Sequence, residues 1–594
     1  VSTLGSANDA ALSEFNAAAS ALAAQTSGSA IALAASLAGS GGSALVGYLP
    51  AGTGAVARTV QNKQRESVSV KDFGAVGNGV VDDTSAINAA WAYCDDSGIS
   101  LFLPAGVYRV TATLTGKPIL ISGESGTRIV FDNFAGKNGI TFQPATQVGA
   151  AGGLVGLELV AKSANGLTCV EMPKQADQYS TYYTRWVFKD LYCRGENRNL
   201  AAYSFCWDYG FAKWFRLSDC TGLSFENVTV QGQFDIILNP AGQFADCAVE
   251  MDAAAALLTA RMKDVNFGTL HTAVLWGDRS FFSLANFDII GTFRGIYQVA
   301  TVVFNEPKIQ HGNINAQDSG IYFNGAETIV IDDVTIRRHP SGWKGGSAVW
   351  YGIRALNASD LKIVQTSVQP DESAGAFTGV MTAMFLQTCS LASLSGNFVG
   401  PGNDVGIALD NCTGMALNST ISGQNAAADV LFNLINNTRI TTIGAYELVS
   451  SFAGTVLQKD VTIVGAIQML NKTPDLQGTG NINRDTTRVN GALDSKKWRE
   501  ITSATAQQRQ VLTDVGAATN YELVTRSGVT VTQIEWRASA FKFNNGPTLT
   551  TSGATPEGSV TAPIGSIHFR TDSLVSPKFY VKETGTGNTG WIGK

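Results

Sequence analysis

The sequence has few charged residues and very few histidines, and both shortages narrow what the protein can be. Asp, Glu, Lys and Arg make up 15% of the 594 residues, against about 25% in a typical globular domain. The net charge is −6, so there is no basic excess of the kind that nucleic-acid binding needs. Four histidines and the lack of CxxC spacing argue against a zinc site. We expect no cofactor, no metal and no nucleic-acid partner.

Long apolar runs and paired cysteine motifs are also missing. No uninterrupted apolar run reaches about 18 residues, which predicts no membrane span. No basic segment leads into such a run, which predicts no secretory signal peptide. The eight cysteines are scattered along the chain. We expect them to be free thiols that line the interior, which suits assembly in a reducing cytoplasm.

Glycine and short alternating apolar segments are abundant instead. Glycine occurs 63 times, and between about residues 228 and 423 a short apolar strand followed by a turn recurs, as in "NVTVQG", "NFDIIG", "DVTIRR" and "NSTISG". Side chains two apart share a strand face, so each copy predicts a strand with one buried face. The copies align on Val230, Phe267, Ile289, Ile309, Ile336, Val368, Val399 and Ile421, and the last six intervals are 22, 20, 27, 32, 31 and 22 residues. Repeats of this length predict a solenoid, and the strands make it a parallel β-helix.

The chain divides by composition into four regions. Residues 1–66 are rich in Ala, Ser and Gly and have too few large apolar side chains for a core, which predicts a neck or linker. Residues 67–114 hold an amphipathic helix with Ile87, Trp91 and Cys94 on one face; such a helix covers the open end of a β-helix. Residues 115–440 form the β-helix, with the receptor-binding or catalytic surface. Residues 441–594 predict a β-rich C-terminal region for trimerisation or carbohydrate binding.

Two segments resemble a known family. "VKDFGAVGNGVVDDTSAINAAW" followed by "LFLPAGVYRV" closely resembles the opening of pectate-lyase-superfamily right-handed β-helices of bacteriophage tailspikes, and the last residues, "APIGSIHFRTDSLVSPKFYVKETGTGNTGWIGK", are similar to a C-terminal module of phage tail fibres and spikes. The resemblance implies an all-β homotrimeric spike that binds and cleaves a bacterial surface polysaccharide. It also implies attachment to a phage tail baseplate or adaptor through the N-terminal region, hence a location in the virion tail.

Cleavage of a glycosidic bond requires two carboxyl groups, about 5–5.5 Å apart for retention or about 6.5–9.5 Å apart for inversion. Neighbouring coils of a β-helix lie about 4.8 Å apart, so outward carboxylates on adjacent coils suit either mechanism. The aligned repeats give three catalytic candidates, Asp288, Glu306 and Asp333, and the segment 311–320 gives a fourth, Asp318. Three of them have a named structural alternative: a solvated or Lys308-paired Asp288, a solvated loop role for Asp318, and turn capping for Asp333, whose column also holds Asn.

Three segments lengthen the coils in the same region: "HGNINAQDSG" (311–320), "RHPSGWKGGS" (338–347) and "PDESAGAFTG" (370–379). Insertions on one side of a solenoid often build its binding surface. They and the neighbouring strands supply the predicted substrate-binding residues Lys308, His311, Arg337, Arg338, Trp343, Lys344 and Asp371. The basic residues favour an acidic sugar, or else form a solvated basic patch. Trp276, Trp343, Trp350 and Tyr351 are candidates for stacking on sugar rings or for packing between subunits.

Three alternatives remain open from sequence. A polysaccharide lyase needs a base and a group that neutralises a uronate carboxylate, and Lys308, His311 and Arg337 suit that chemistry. A non-catalytic adhesin can use the same scaffold. Glu250 and Asp252 form a rival pair of carboxylates.

Overall fold

The structure is a computed structural model. The residues that it describes are 2–144, 151–172, 183–197, 207–218, 220–233, 246–251, 258–277, 280–299, 306–339, 349–369, 379–399, 403–421, 430–435, 440–443, 455–459, 482–487, 497–502, 506–512, 518–527, 530–536, 540–542, 546–572 and 578–594. They fall into two compact units, Val1–Asn471 and Lys472–Lys594.

The N-terminal part of the first unit contains its helices. They are α1 (Ser2–Ala38), α2 (Gly42–Leu45), α3 (Val60–Gln64), the 3₁₀-helix Val70–Phe73 and α4 (Thr84–Ser97), with the short antiparallel pair β1 (Gly47–Tyr48) and β2 (Arg58–Thr59) between them. Helix α1 is exposed along its length, as expected for an alanine-rich neck without a core. Its stretch Gly5–Ala38 is long and apolar enough to cross a membrane by length and composition, a test that an exposed alanine-rich helix also passes. The absence of a membrane span therefore remains a prediction.

The remaining strands of the first unit form one parallel ladder of 31 described strands. They are β3 (Val68–Ser69), β4 (Asn78–Asp82), β5 (Leu101–Leu103), β6 (Val107–Val110), β7 (Leu114–Gly116), β8 (Leu120–Gly123), β9 (Arg128–Asp132), β10 (Ile140–Phe142), β11 (Gly153–Val155), β12 (Glu158–Lys162), β13 (Gly166–Glu171), β14 (Tyr183–Thr184), β15 (Val187–Gly195), β16 (Phe211–Leu217), β17 (Cys220–Gln231), β18 (Cys247–Met251), β19 (Leu258–Gly268), β20 (Thr272–Trp276), β21 (Ser280–Gln298), β22 (Lys308–Asn324), β23 (Val330–Arg338), β24 (Val349–Leu356), β25 (Lys362–Val364), β26 (Ser367–Gln369), β27 (Val380–Gln387), β28 (Ser393–Val399), β29 (Val405–Asp410), β30 (Met415–Ile421), β31 (Val430–Ile435), β32 (Ile440–Ile443) and β33 (Thr455–Lys459). This ladder confirms the predicted parallel β-helix.

Each coil has three faces, which we name from strand β21. Face A contains residues 283–285, face B contains 287–290 and face C contains 294–298, and each pairs in parallel with the next coil in strand β22. Alternate residues point inward, because the strand period is two. The apolar residues that point inward form a continuous core along the β-helix, and the residues between them project to the outside.

The pairing confirms most of the repeat alignment and corrects it at one coil. Val230 pairs with Phe267, Phe267 with Ile289 and Ile336 with Val368, as the sequence predicted. Ile289, however, pairs with Ile314 and not with Ile309. Both isoleucines are buried on the single strand β22, Ile309 on face A and Ile314 on face B, so their sequence patterns look alike. The alignment at Ile309 was therefore wrong by five residues.

The turn between faces A and B is a column of left-handed residues. Asp190, Asn227, Asp264, Asn286, His311, Asp333, Gln365 and Gly396 have φ between 48° and 66°, and each lies three residues before an anchor of face B. Asn and Asp tolerate this conformation because their short side chains bond locally. The side chains also bond along the column: Asn227 Nδ2 donates to Asp190 Oδ1 at 2.8 Å, and Asn286 Nδ2 to Asp264 Oδ1 at 3.2 Å.

Helix α4 covers the beginning of the β-helix, as predicted. Ile87, Trp91 and Cys94 are buried, and Trp91 Nε1 donates to the carbonyl oxygen of Lys117 at 2.9 Å. The residue at the N-cap of this helix bonds elsewhere. Asp83 lies at the N-cap but makes no capping bond; its carboxylate accepts the backbone N–H groups of Val76 and Gly77 instead.

The second unit contains two five-stranded sheets. The first consists of β34 (Ile482–Thr487), β35 (Lys497–Thr502), β36 (Ala506–Leu512), β37 (Ala518–Ser527) and β38 (Thr530–Trp536), all antiparallel. The second consists of β39 (Ala540–Lys542), β40 (Thr548–Ser552), β41 (Ile567–Arg570), β42 (Phe579–Lys582) and β43 (Trp591–Gly593). Trp591, Tyr580 and Ala562 form a small buried cluster there. The second unit is thus β-rich, as expected.

Candidate functional site

A cleft of about 320 Å³ lies on the outside of face C. Its lining consists mainly of aromatic rings and guanidinium groups from three successive coils. The residues are Arg294, Tyr297, Asp318, Ser319, Tyr322, Val349, Tyr351 and Arg354. Clefts with aromatic walls and a few placed polar groups are the usual form of a small-ligand site.

A short repeated sequence builds this surface. "RGIYQ" (294–298), "SGIYF" (319–323) and "YGIRA" (351–355) occupy equivalent places on face C. In each copy the isoleucine is buried, and the residue after it projects outward. The glycine is required by space: a Cβ on Gly320 would lie 2.5 Å from Ile336 Cγ2, and one on Gly352 would lie 2.3 Å from Val368 Cγ1. The buried face B residues Ile336 and Val368 therefore occupy the interior space next to Gly320 and Gly352.

The outward residues form a stacked column. The rings of Tyr297 and Tyr322 are stacked, with centroids 4.6 Å apart and planes 22° apart. The next residue in register is Arg354, followed by Phe385. The guanidinium carbon of Arg354 lies 5.4 Å from the ring centroid of Tyr322 and 4.9 Å from that of Tyr351. The column thus presents aromatic faces and a positive charge along the axis of the β-helix.

Asp318 supplies the carboxylate of the cleft. Arg294 Nε donates to Asp318 Oδ2 at 3.2 Å, and the guanidinium of Arg294 lies 4.2 Å from the ring centroid of Tyr297. The side chain of Asp318 is 13% exposed, so its carboxylate is largely removed from water yet open to the cleft. The segment 311–320 is not an inserted loop, because residues 308–324 are one continuous strand. That part of the sequence interpretation was wrong, although Asp318 itself lines the cleft.

The pKa values of two further groups, Tyr322 and His271, are shifted near the cleft. Burial is the main cause that raises the pKa of Tyr322, and the neighbouring Tyr297 adds to it; Tyr322 therefore keeps its proton at neutral pH. Burial, aided by the positive charge of Arg294, lowers the pKa of His271 to about 4. His271 lies beside Phe293, with ring centroids 5.0 Å apart, and is therefore neutral at pH 7.

The other catalytic candidates lie elsewhere on the β-helix. Asp288 is on the outside of face B, where Asn313 Nδ2 donates to its Oδ1 at 2.8 Å; Asn313, not Lys308, is its neighbour in the next coil. Lys308 is exposed on face A and pairs with Ser283 and Val330. Glu306 is exposed just before strand β22. The structure therefore does not bring these side chains together with Asp318.

Asp333 and His311 belong to the left-handed turn column. Their side chains bond to each other, with His311 Nδ1 and Asp333 Oδ2 2.9 Å apart, and both are more than half exposed. Arg337 is exposed on face B, where it pairs with Asn315 and Gln369. The turn position of Asp333 gives it a structural role whether or not it takes part in chemistry.

Arg338 is 7% exposed at the end of face B, and burial lowers its pKa. Trp276 and Trp350 are fully buried, so the suggestion that they stack on sugars was wrong: both fill the interior, where Trp350 Nε1 donates to the carbonyl oxygen of Ala316 at 3.1 Å. Tyr351 does line the cleft.

Several predicted residues lie outside the described part of the chain. They are Trp343, Lys344, Asp371 and Asp252. Glu250, from the rival pair, lies on face C and forms an ion pair with Lys213. The sequence interpretation missed Arg294, Tyr297, Tyr322 and Arg354. A recurring glycine–isoleucine pair precedes Tyr297, Tyr322 and Arg354. This repeat could have identified these three as outward residues of one face.

Comparison with known proteins gives matches of sequence and of fold. Residues 67–168 match the family model described as rhamnogalacturonase A/epimerase, pectate lyase-like. A stretch of 45 residues, 7% of the chain, is 58% identical to the mannuronan C5-epimerases AlgE5 and AlgE2 of Azotobacter vinelandii. That match spans 4% of the length of these curated relatives.

Solved structures with a similar fold include two bacteriophage tailspikes and one bacterial adhesin. Tailspike protein 3 of bacteriophage CBA120 is 13% identical with a TM-score of 0.49, covering 83% of this chain and 77% of that one. A double mutant of the tailspike of E. coli bacteriophage HK620 is 10% identical with a TM-score of 0.41, covering 83% and 95%. The Streptococcus pneumoniae adhesin PfbA is 12% identical with a TM-score of 0.37, covering 68% and 100%.

The family match covers the region whose sequence motif predicted it. It includes helix α4 and the first coils of the ladder. Residues 67–168 are therefore similar to a pectate-lyase-like family model and form the first coils of this parallel β-helix.

Proposed function

We propose that this chain is a tailspike depolymerase that binds a bacterial surface polysaccharide and cleaves it internally at the cleft of face C. The observation that carries the proposal is the Asp318 carboxylate, set beside a column of stacked aromatic rings and two guanidinium groups. The pectate-lyase-like match and the resemblance of residues 67–110 to tailspike openings support the class of protein.

The column suits a chain of sugars. Tyr297 and Tyr322 stack at 4.6 Å, and successive coils repeat at about 4.8 Å along the helix axis. A polysaccharide laid along that axis meets a ring or a guanidinium at every coil. Aromatic rings contact the apolar faces of sugars, and the few polar groups fix their orientation.

Asp318 takes the role of the general acid or base. Proton transfer by a positioned carboxyl group contributes roughly 10²–10⁴-fold to the rate. Arg294 Nε donates to one carboxylate oxygen, which fixes the orientation of the carboxylate in the cleft lining. Hydrolysis needs a second carboxyl group. Among the lining residues that the structure describes, Asp318 is the only carboxylate; Asp288 and Glu306 are the candidates outside the lining, and the turn residue Asp333 is tested separately.

Elimination is the second candidate reaction. The lining carries two guanidinium groups and three tyrosine hydroxyls for one carboxylate. A lyase needs a cation that neutralises the uronate carboxylate and a base that removes the adjacent proton, and these groups can fill both roles. A binding-only adhesin uses the same column without bond cleavage.

One experiment separates the three functions. The purified full chain is incubated with capsular polysaccharides, exopolysaccharides and O-antigens, and the products are analysed by mass spectrometry. Hydrolysis gives oligosaccharides with one added water per cleaved bond. Elimination gives unsaturated uronates without added water. Polysaccharide that is retained at full length on the protein identifies an adhesin and overturns the proposal.

The assembly state is part of the proposal. Helix α1 exposes Leu12, Phe15, Leu22 and Ile31, each by more than half, so it has no core of its own. We propose that three copies associate in a homotrimer and that the N-terminal region joins a phage tail baseplate or adaptor, which places the protein in the virion. Light scattering after size-exclusion chromatography checks this: a mass of one subunit at micromolar concentration contradicts it.

A further inference from the structure

Arg354 is a guanidinium in the cleft without an anionic partner in the described part of the chain. It forms none of the ion pairs found there, and its Nε is buried and has no hydrogen-bond acceptor among the described residues. Arg294, from two coils earlier on the same face, is already bonded to Asp318. The Nε is enclosed, whereas the terminal nitrogens of Arg354 are not among the buried unpaired atoms. Arg354 lines the cleft, so these terminal N–H groups are the donors that a ligand in the cleft can bond.

Aromatic rings hold Arg354 in place. Its guanidinium carbon lies 4.9 Å from the centroid of Tyr351, 5.4 Å from that of Tyr322 and 6.0 Å from that of Phe385. A guanidinium over a ring is attracted through its charge. Such contacts do not supply lone-pair acceptors for its N–H donors. The donors of Arg354 are therefore oriented in advance without being saturated.

The charge of the cleft lining also favours an anionic ligand. Two guanidinium groups face one carboxylate, so the lining has a net charge of about +1 in a chain whose net charge is −6. The fork of a guanidinium matches the two oxygens of a carboxylate or a phosphate. An anion with two oxygens can accept hydrogen bonds from Arg354 and at the same time neutralise the positive charge of the lining.

We propose that Arg354 binds an oxyanion substituent of the sugar chain, a carboxylate or a phosphate, and so restricts the protein to acidic polysaccharides. This inference rests on the proposed function, because it assigns one subsite within the same cleft. Tyr322 and Tyr351 flank the subsite, and the Tyr322 hydroxyl stays protonated and can donate to the same anion.

Saturation-transfer NMR on the full chain tests the subsite with three matched probes. They are methyl β-D-glucuronoside, the 6-phosphate of methyl β-D-glucoside, and methyl β-D-glucoside itself. We expect at least one anionic probe to bind tightly enough for a clear signal, and the neutral glucoside to bind at least about tenfold more weakly, since a bond to a charged group is worth that much. The two anionic probes distinguish a carboxylate from a phosphate site.

Two variants and a control make the test specific. Arg354→Gln is expected to lower affinity for the anionic probe by about tenfold or more and to leave the neutral probe unchanged. Arg354→Lys, which keeps the charge but loses the fork, is expected to fall between. Arg261→Gln removes the same charge from exposed face A, where Arg261 pairs with Ser283, and is expected to have no effect. Thermal midpoints within the range of the unmodified protein establish that the variants are folded.

The inference and the proposed function fail separately. Equal binding of the neutral and anionic probes, or unchanged anion binding in Arg354→Gln, overturns the inference even where a polysaccharide is cleaved. Anion binding that depends on Arg354 together with no cleavage of any polysaccharide overturns the proposed depolymerase and leaves the subsite standing.

Discussion

Arg294 and Asp318 lie on successive coils and are joined by a hydrogen bond of 3.2 Å from Nε to Oδ2. The carboxylate is the more enclosed partner, with 13% of its side chain exposed against 31% for the arginine. Arg294 is held in turn by the ring of Tyr297, 4.2 Å from its guanidinium carbon. The orientation of Asp318 therefore depends on a side chain that aromatic packing has already fixed.

Asp318→Asn is expected to abolish cleavage while the polysaccharide still binds. The amide keeps the shape of the carboxylate but cannot transfer a proton, so the catalytic rate should fall by roughly 10²–10⁴-fold with little change in substrate affinity. Rates come from the release of oligosaccharide, and affinities from binding to immobilised polymer. Asp264→Asn, in the exposed column of left-handed turn residues, is the matched control and should keep full activity.

The candidate carboxylate on face B provides the contrary result. Loss of cleavage in Asp288→Asn but not in Asp318→Asn moves the reaction to face B and removes the cleft of face C from the mechanism.

Asp333 is expected to behave as a turn residue. Its φ is 52°, a conformation that Asn also tolerates, whereas a β-branched residue there costs at least about 1–2 kcal/mol. Asp333→Asn should therefore keep both stability and cleavage, and Asp333→Val should lower the free energy of unfolding by that amount. Urea unfolding and polysaccharide cleavage are measured on both variants. A folded Asp333→Asn protein that no longer cleaves identifies Asp333 as a catalytic group instead.

Asp246 and His271 are expected to give stability opposite dependences on pH. Burial raises the pKa of Asp246 to about 7, so the folded state keeps a proton that the unfolded chain loses above about pH 4. Its contribution to stability therefore falls as the pH rises from about 4 to 7. His271 has a pKa lowered to about 4 by burial, so its contribution rises between about pH 4 and 6.5. The two slopes oppose each other.

Single variants separate the two contributions. Relative to the unmodified protein, Asp246→Asn should gain stability more steeply between pH 4 and 6.5, and His271→Gln should gain less or lose stability. Asp246→Asn also loses one of two acceptors, since the carboxylate receives the N–H groups of His271 at 2.7 Å and Gln233 at 2.8 Å. Urea midpoints at a series of pH values measure the slopes, and parallel slopes for all three proteins contradict the assignment.

The cysteines are expected to be unreactive in the folded protein. Seven of the eight are described, and all seven are buried free thiols, as the sequence predicted. Burial raises the pKa of Cys94 to about 11 and raises the pKa of Cys193 and Cys220 further, so little thiolate forms at these residues. The hydrogen bond with Cys412 lowers the pKa of Cys389, but Cys389 is buried away from the reagent. A Cys206→Ser variant should release no colour with Ellman's reagent until it is unfolded, when seven thiols should react. Rapid labelling of the folded variant contradicts this.

The fold could be predicted because the repeat imposes the same physical requirement on every coil. Each anchor, such as Ile336 or Val368, must fill the interior, so an apolar residue recurs wherever a strand of face B occurs. Ile309 misled the alignment because face A requires inward residues as well. Two buried isoleucines five residues apart on strand β22 satisfy the same pattern, and only the pairing of Ile289 with Ile314 decides between them.

The site was only partly predictable for a related reason. Asp318 was found because carboxylates are conspicuous, but its neighbours were not, since Tyr297 and Tyr322 lie 25 residues apart in sequence and come together only through the register of face C. Trp350 was expected at the surface because tryptophan suits sugar binding. It is buried because it alternates with the outward residues Val349 and Tyr351 on strand β24.

Adjacent coils are joined on all three faces, by pairs such as Ser283 with Lys308, Phe287 with Gly312 and Ile296 with Ile321. The hydrogen bonds of these pairs run along the axis of the β-helix, because they are perpendicular to strands that circle it. A force applied along the axis is therefore shared by three ladders in parallel at every coil boundary. Shear across a single face, by contrast, is resisted by the covalent chain. Under such a force the β-helix should separate at one coil boundary, where the hydrogen bonds of all three ladders break together. We expect this at the boundary whose three ladders are shortest.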